Sequence, residues 1–336
     1  MRVKTEKSDR LLGITTFDHA DLYGDYTCEK FFGEALIKDP SLRARIQLIS
    51  KWGIKLVSKY YPNHKIKHYD TTPNHIVASV ENSLRCFHTT YLDLLLIHRP
   101  DPLINADEIA EAFERLKSSG KVLHFGVSNF SPSQFEALAS RLDIPLVTNQ
   151  VEFSAIKTGS LENGVLDLCQ KWQISAMAWS PLGGGALFHA DNRRAGQLRQ
   201  TLSNISESLG GVGIDQLAIA WILMHPNHIV PILGTLNLDR LSAAAEAIKI
   251  HLSREQWFEI WSSAIGKEIP QFMALLTKDG VSLARVIYGS FVICKKQLQD
   301  KKDILLQCVF FRLSVSLRVV LIYSHDLSDT VNLYRR

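Results

Sequence analysis

A chain of 336 residues with 46% apolar side chains can bury one large core or two modest ones, which excludes a disordered or collagen-like protein. Its net charge of +4 comes from one end: residues 271–336 carry ten basic and five acidic side chains, against 28 and 29 over 1–270. A body this close to neutral argues against a general nucleic-acid surface.

The first ten residues hold Arg2, Lys4, Glu6, Lys7, Asp9 and Arg10 with no apolar run, so no secretory signal is expected. From residue 11 to about 265, short apolar runs alternate with segments of 3.6-residue periodicity, giving seven strand-helix units. The strand runs fall at 14–18, 46–50, 92–98, 122–128, 146–150, 174–179 and 229–233. Helices are predicted at 29–37, 74–87, 107–118, 132–141, 161–172 and 238–250, with two more, 194–209 and 215–224, before the last strand. Each strand run is apolar on both sides, as parallel strands covered by helices are.

Strict alternation of this kind means a parallel sheet, open or closed. The polar residues decide between them, because they recur at the C-terminal end of strand after strand: Asp18, Lys51, His98, Ser128 with Asn129, Gln150, and Trp179 with Ser180. In a barrel those ends meet in one ring. An open sheet would concentrate its chemistry at one switch point, usually beside a Gly-rich first turn, and no GxGxxG occurs. The expected fold is therefore a (β/α)8 barrel over 1–270. With seven recognisable units it should be incomplete at the N-terminus and open at its two edge strands.

After Pro270 the character changes. Residues 271–336 contain no Glu, and the apolar run 304–323 is interrupted by Arg312 and Arg318. Two arginines in a membrane span would cost about 2.5–3.5 kcal/mol each, so no stable membrane insertion is expected. The expectation is a poorly ordered tail in which the alternation at 313–317 could form an exposed strand. Cys28, Cys86, Cys169, Cys294 and Cys308 are scattered and without a CxxC pair, which fits reduced thiols in a cytoplasmic protein and assigns no metal site.

Asp18 and Tyr23 lie five residues apart on the loop after the first strand run. A tyrosine delivers a proton at neutral pH only if something lowers its pKa from about 10. Lys51 is a candidate cation, Asp18 can orient it, and His98 can position a carbonyl oxygen. Ser128, Asn129 and Gln150 offer donors and acceptors suited to a carboxamide, and Trp179 a flat stacking face. Taken singly, these residues read as a helix cap, a snorkelling lysine, a structural histidine and a helix start. Their coincidence at one end of successive strands points to a site.

The segments FDHADLYG (17–24), SKWGI (50–54), YLDLLLIHRPDP (91–102), GKVLHFGVSNF (120–130), NQVEFS (149–154), AWSPLGGG (178–185) and PILGTLNLDRL (231–241) resemble the bacterial-type oxidoreductase branch of the aldo-keto reductase family. The resemblance implies a proton donor at Tyr23, modulated by Lys51 and Asp18, with His98 orienting the substrate. It implies NADP(H) as cofactor, its carboxamide meeting Ser128, Asn129 and Gln150 under Trp179, and its pyrophosphate along Ser180, Leu182 and the glycines after them. The adenosine 2′-phosphate would meet Thr235 and Arg240. Many relatives have a lysine where this chain has Asn237, so a reduced preference for NADP(H) over NAD(H) is expected.

The implied activity is reduction of a small aldehyde or ketone. The alternatives are a non-catalytic binding subunit, like the potassium-channel β subunits that share the fold, and an inactive product whose barrel never closes. Lys55, Lys59, Lys65 and Lys67 among Tyr60, Tyr61 and Tyr69 form a solvated loop that could touch an anionic substrate.

Overall fold

In the computed structural model, which describes residues 13–267 and 320–322, every predicted strand run is part of one parallel ring. The strands are β1 (Thr16–Asp18), β2 (Gln47–Trp52), β3 (Leu92–Ile97), β4 (Val122–Ser128), β5 (Leu146–Glu152), β6 (Met177–Trp179) and β7 (Val230–Leu233). An eighth, β8 (Val320–Ile322), lies between β7 and β1, so the ring order is the chain order. β8 pairs in parallel with both neighbours: Thr16, Phe17 and Asp18 face Val320, Leu321 and Ile322, and Ile232 and Leu233 face Val320 and Leu321.

The barrel is as expected, and the two edges expected to be exposed are covered by this strand. A parallel ring lacking one member leaves two edges, each with a row of unpaired amides, and an extended segment from anywhere in the chain can satisfy both. Here it comes from beyond residue 270. The first ten residues, the alternation at 313–317 and the rest of the predicted tail lie outside the described residues. Residues 267–316 fall in a separate unit, described at Lys267 alone. No helix among the described residues is long and apolar enough to cross a membrane.

The helices follow the predicted periodicity as α1 (Cys28–Lys38), α2 (Pro73–Phe87), α3 (Ala106–Ser118), α4 (Pro132–Ala139), α5 (Val165–Lys171), α6 (Arg193–Ser208), α7 (Ile214–Leu223) and α8 (Leu238–Glu246). α5 is shorter than predicted because Gly164, at φ 78°, breaks the run after the 3-10 turn Gly159–Leu161. α8 likewise gives way to a 3-10 turn, Ala247–Lys249. Two further helices were not predicted: a single turn, Ala186–His189, and α9 (Arg254–Ile265), although Ser253 and Gln256 form a capping box at the start of α9.

Strand alternation sorts the core. Inside the ring, Ile49, Leu96, Met177 and Ile232 pack with Leu94, Trp179 and Val230. Outside, Leu48 and Trp52 of β2 join Phe87 of α2 and Phe113 of α3 in the helix-facing belt, each such fully buried side chain contributing about 1.5–3 kcal/mol. Along β2 the period of two therefore sends Leu48, Ser50 and Trp52 outward, and Ile49 and Lys51 into the barrel. α1 meets α2 at Gly33, where a Cβ would stand 1.9 Å from the Cys86 carbonyl oxygen, so only glycine allows the approach.

Candidate active site

Asp18 ends β1, and Lys51 is the penultimate residue of β2. Both are fully buried, and the Lys51 Nζ donates to Asp18 Oδ2 at 2.6 Å and to the His19 carbonyl at 2.8 Å. Burial lowers the Lys51 pKa, and Asp18 opposes that most strongly, followed by Asp21 and Glu29. On its other side Asp18 Oδ1 accepts from the Gln150 Nε2 at 3.1 Å, so β1, β2 and β5 are tied across the barrel mouth.

Tyr23 begins a turn, Tyr23–Tyr26, in which Gly24, Asp25 and Tyr26 have positive φ. That backbone brings the Tyr23 ring to 5.0 Å from the Lys51 Nζ and 5.8 Å from the His98 ring, edge-on. His98 follows β3, its amide donating to the Trp52 carbonyl at 2.9 Å. The imidazole is buried with Nδ1 unpartnered. Burial, then Lys51, Arg99 and Lys67, hold its pKa well below the usual histidine value, so the ring is neutral and keeps one N–H to donate. The structure thus brings Asp18, Tyr23, Lys51 and His98 together.

Ser128 ends β4 level with Gln150, and its Oγ donates to the Gln150 carbonyl at 3.0 Å. Asn129 has φ 62°, a rare backbone for a non-glycine residue. Its amide donates to Ser128 Oγ at 2.7 Å and accepts from the Trp179 indole at 2.9 Å. The Arg99 guanidinium lies 5.6 Å from the Trp179 ring centre.

Ser180 is also left-handed, at φ 51°, and its carbonyl accepts from the Gly183 amide at 2.7 Å. At Gly183 a Cβ would stand 2.3 Å from Ile156, whereas Gly184 faces open space, so the loop after Leu182 presents bare backbone. Farther along, Thr235 and Arg240 flank the start of α8, and Arg240 is exposed. Asn237 caps that helix, accepting from the amides of Asp239 and Arg240 at 2.9 and 3.1 Å. The missing lysine is thus a helix cap.

Sequence reasoning missed a second polar layer. Glu29 of α1 is buried, and its Oε1 accepts from Ser50 Oγ at 2.5 Å and from Ser83 Oγ at 2.9 Å. Asp21 is buried, its Oδ2 accepting from Ser79 at 3.0 Å and its Oδ1 unpartnered. His19 sits edge-on to Phe32 and Phe87 with neither ring nitrogen partnered, its pKa lowered to about 3 by burial. A signal for Glu29 existed, because it shares the stripe 29, 32 and 36 with the apolar face of α1.

The lysine-rich loop forms a small hairpin, Ile54–Lys55 with His68–Tyr69. Lys55 pairs with Asp70, and Tyr26 accepts from the Leu56 amide at 2.9 Å, which fastens the hairpin to the Tyr23 turn.

Comparison with known proteins gives a match of residues 11–265 to the model described as the aldo/keto reductase family. Oxidoreductase YdhF of Escherichia coli is 48% identical over 259 residues, covering 77% of this chain and 86% of its own. A 6-dehydroglucose reductase of Agrobacterium fabrum is 48% identical over 257 residues, covering 76% and 85%. Among solved structures, an aldo/keto reductase from Klebsiella pneumoniae in complex with NADP and acetate gives a TM-score of 0.60 at 27% identity, covering 76% of this chain and 81% of that one. A thermostable aldo-keto reductase in complex with the inhibitor epalrestat gives 0.64 at 28%, covering 78% and 89%.

Proposed function

Because this chain belongs to the aldo/keto reductase family, we propose that it reduces an aldehyde or ketone to the alcohol with NADP(H), using Tyr23 as proton donor. The observation that carries this reading is the convergence of Tyr23, Lys51 and His98 on one mouth, with the Lys51 ammonium held by Asp18 at 2.6 Å. Bound there, the dihydronicotinamide supplies the hydride.

The residues present fit such a cofactor. Ser128 and Asn129 form a neutral amide and hydroxyl pair under the Trp179 indole, and the loop 180–185 offers open backbone at Gly184. Arg240, exposed at the N-terminal turn of α8, is the cation available to a 2′-phosphate, and with Asn237 serving as a cap the preference over NAD(H) is reduced.

The chain's own groups divide the work. The neutral His98 donates to the carbonyl oxygen of the substrate and holds it beside the Tyr23 hydroxyl. As negative charge develops on that oxygen, Tyr23 delivers its proton, and the adjacent Lys51 ammonium stabilises the tyrosinate left behind. Asp18, tied also to Gln150, fixes the direction of the ammonium. The chain then regains its proton from solvent.

The test is NADPH consumption with a panel of small aldehydes and ketones. Tyr23→Phe should abolish turnover while leaving the NADPH dissociation constant within about twofold, because the hydroxyl serves proton transfer rather than cofactor binding. Full activity in Tyr23→Phe would remove the assignment. A potassium-channel-type binding role is disfavoured by the intact buried ion pair and neutral imidazole, which a purely structural partner does not require.

A further inference from the structure

The reductase reading uses one carboxylate, Asp18, yet three lie buried around Lys51. Behind β2, on the side facing the helices, Glu29 grips Ser50, the residue immediately before Lys51, and ties it to Ser83 of α2. Asp21 is joined to the same residue by its backbone: its amide donates to the Lys51 carbonyl at 3.0 Å, while its side chain reaches Ser79 of α2. Neither carboxylate has a cationic hydrogen-bond partner, although a buried carboxylate without one is expensive. The proposed reaction as stated gives them no task.

We propose that Asp21 and Glu29 are positioning residues for the reduction: they form a second tier of buried carboxylates that fixes the strand carrying Lys51 and keeps its side chain an ammonium. The inference rests on the reductase reading given above. It follows from where the groups stand. Lys51 is a buried cation that both carboxylates act on, with Asp18 paired to it at 2.6 Å and the other two tied to its strand through Ser50 and the Lys51 carbonyl, all in a medium that screens poorly.

The electrostatics make the tier responsive. Burial raises Asp21 to about 8, with Glu29 adding repulsion, and burial raises Glu29 to about 7 against the pull of Ser50, Ser83 and Lys51. Protons leave the pair as a coupled unit. As pH rises through that range the pair gains negative charge, and each increment binds the Lys51 proton more tightly. The ammonium therefore persists to higher pH than Asp18 alone would permit.

The groups facing this cluster are known from each side. The first strand and its loop contribute Asp18, His19 and Tyr23; β3 ends in His98; α2 contributes Cys86; and the hairpin loop contributes Tyr61. His19 and His98 are held neutral, and burial raises Cys86 and Tyr61, so none of these four supplies a competing charge at neutral pH.

The experiment compares wild type with Glu29→Gln, which keeps an acceptor for Ser50 and Ser83 but removes the charge, and with Asp21→Asn. Two quantities are read. One is the titration of the Lys51 side chain by its 13Cε shift in the cofactor-free protein, assigned by its disappearance in Lys51→Met. The other is the pH profile of kcat. In both variants the Lys51 midpoint should fall by about one pH unit, a tenfold change in proton affinity, and the alkaline limb of kcat should fall with it.

The NADPH dissociation constant should stay within about twofold. An unchanged Lys51 midpoint in folded variants would overturn the proposal, even if turnover drops, because a merely structural loss lowers rate without moving that midpoint. If Glu29→Gln fails to fold, Asp21→Asn decides. A wild-type protein that turns over no aldehyde or ketone overturns the reductase reading instead, and the Lys51 midpoint still decides whether the second tier acts on it.

Discussion

The two arcs of the ring hold their polar groups in opposite ways. From β1 to β3 the mouth is built on a buried ion pair, Asp18 with Lys51, backed by the buried acids Asp21 and Glu29, with a neutral His98 at the edge. From β4 to β7 it is built on neutral groups, Ser128, Asn129, Gln150, Trp179 and Thr235, with exposed Arg240 as the added charge at the far end. Proton chemistry needs charges whose fields are not screened, so they must be dry and paired. Holding a large ligand needs shape and directed hydrogen bonds, which amides, hydroxyls and bare glycine backbone supply at lower desolvation cost.

β8 is one of the two seams between the arcs, pairing with β1 on one side and β7 on the other; the second is the β3–β4 ladder. Ending the chain at Ser316 should break the comparison outright. Losing two ladders at about 1 kcal/mol per hydrogen bond removes a large part of a stability of about 5–15 kcal/mol. The expected result is loss of the cooperative thermal transition; an unaltered melt would mean that β8 contributes little to closure.

Within the ring, one substitution on each arc should separate the two designs. Lys51→Met strands Asp18 as an unpaired buried carboxylate, at about 3–5 kcal/mol, so calorimetry should show a large drop in melting midpoint alongside lost turnover. Asn129→Ala removes the bonds to Ser128 and Trp179, at about 1 kcal/mol each, and should lower the midpoint far less while weakening NADPH binding about tenfold. Equal destabilisation by the two would erase the contrast.

The smallest effect belongs to the exposed end. Arg240→Ala should weaken NADPH binding by about five- to tenfold and leave NADH binding unchanged, because in the proposed site the guanidinium meets the 2′-phosphate alone. Fluorescence titration with both nucleotides measures the difference directly.

The neutral arc was the more legible in sequence. Ser128, Asn129, Gln150 and Trp179 stand at strand ends, where alternating apolar runs announce both the strand and its termination. Asp18, Lys51 and His98 were legible for the same reason. The second tier was not, because Glu29 lies on a helix whose exposed face also carries charge, and only its phase with Phe32 and Leu36 marks it as buried. Asp21 sat in plain view between Asp18 and Tyr23. Nothing local tells a loop carboxylate facing water from one facing Ser79 on a helix 58 residues away.

α9 was missed although its capping box is present in the sequence, and β8 was missed because it is only three residues long and sits at the end of the longer apolar run 304–323 with no helical unit of the repeating pattern before it.

Closure by β8 also sets an order of events. β1 is the first of the described strands to be synthesised and β8 the last, and Thr16 meets Val320 across about 300 residues of chain. Once β7 is made and until β8 arrives, one edge of β1 and one of β7 stand exposed, so over that interval the nascent chain is an unsealed ring that a second chain or a chaperone could reach. Lys51 and Asp18 can meet long before that, since β1 and β2 are neighbours in sequence as well as in space. The charged arc can therefore assemble early, and of the two joins between the arcs the β3–β4 ladder can form early while the one through β8 must wait for the last of the described strands.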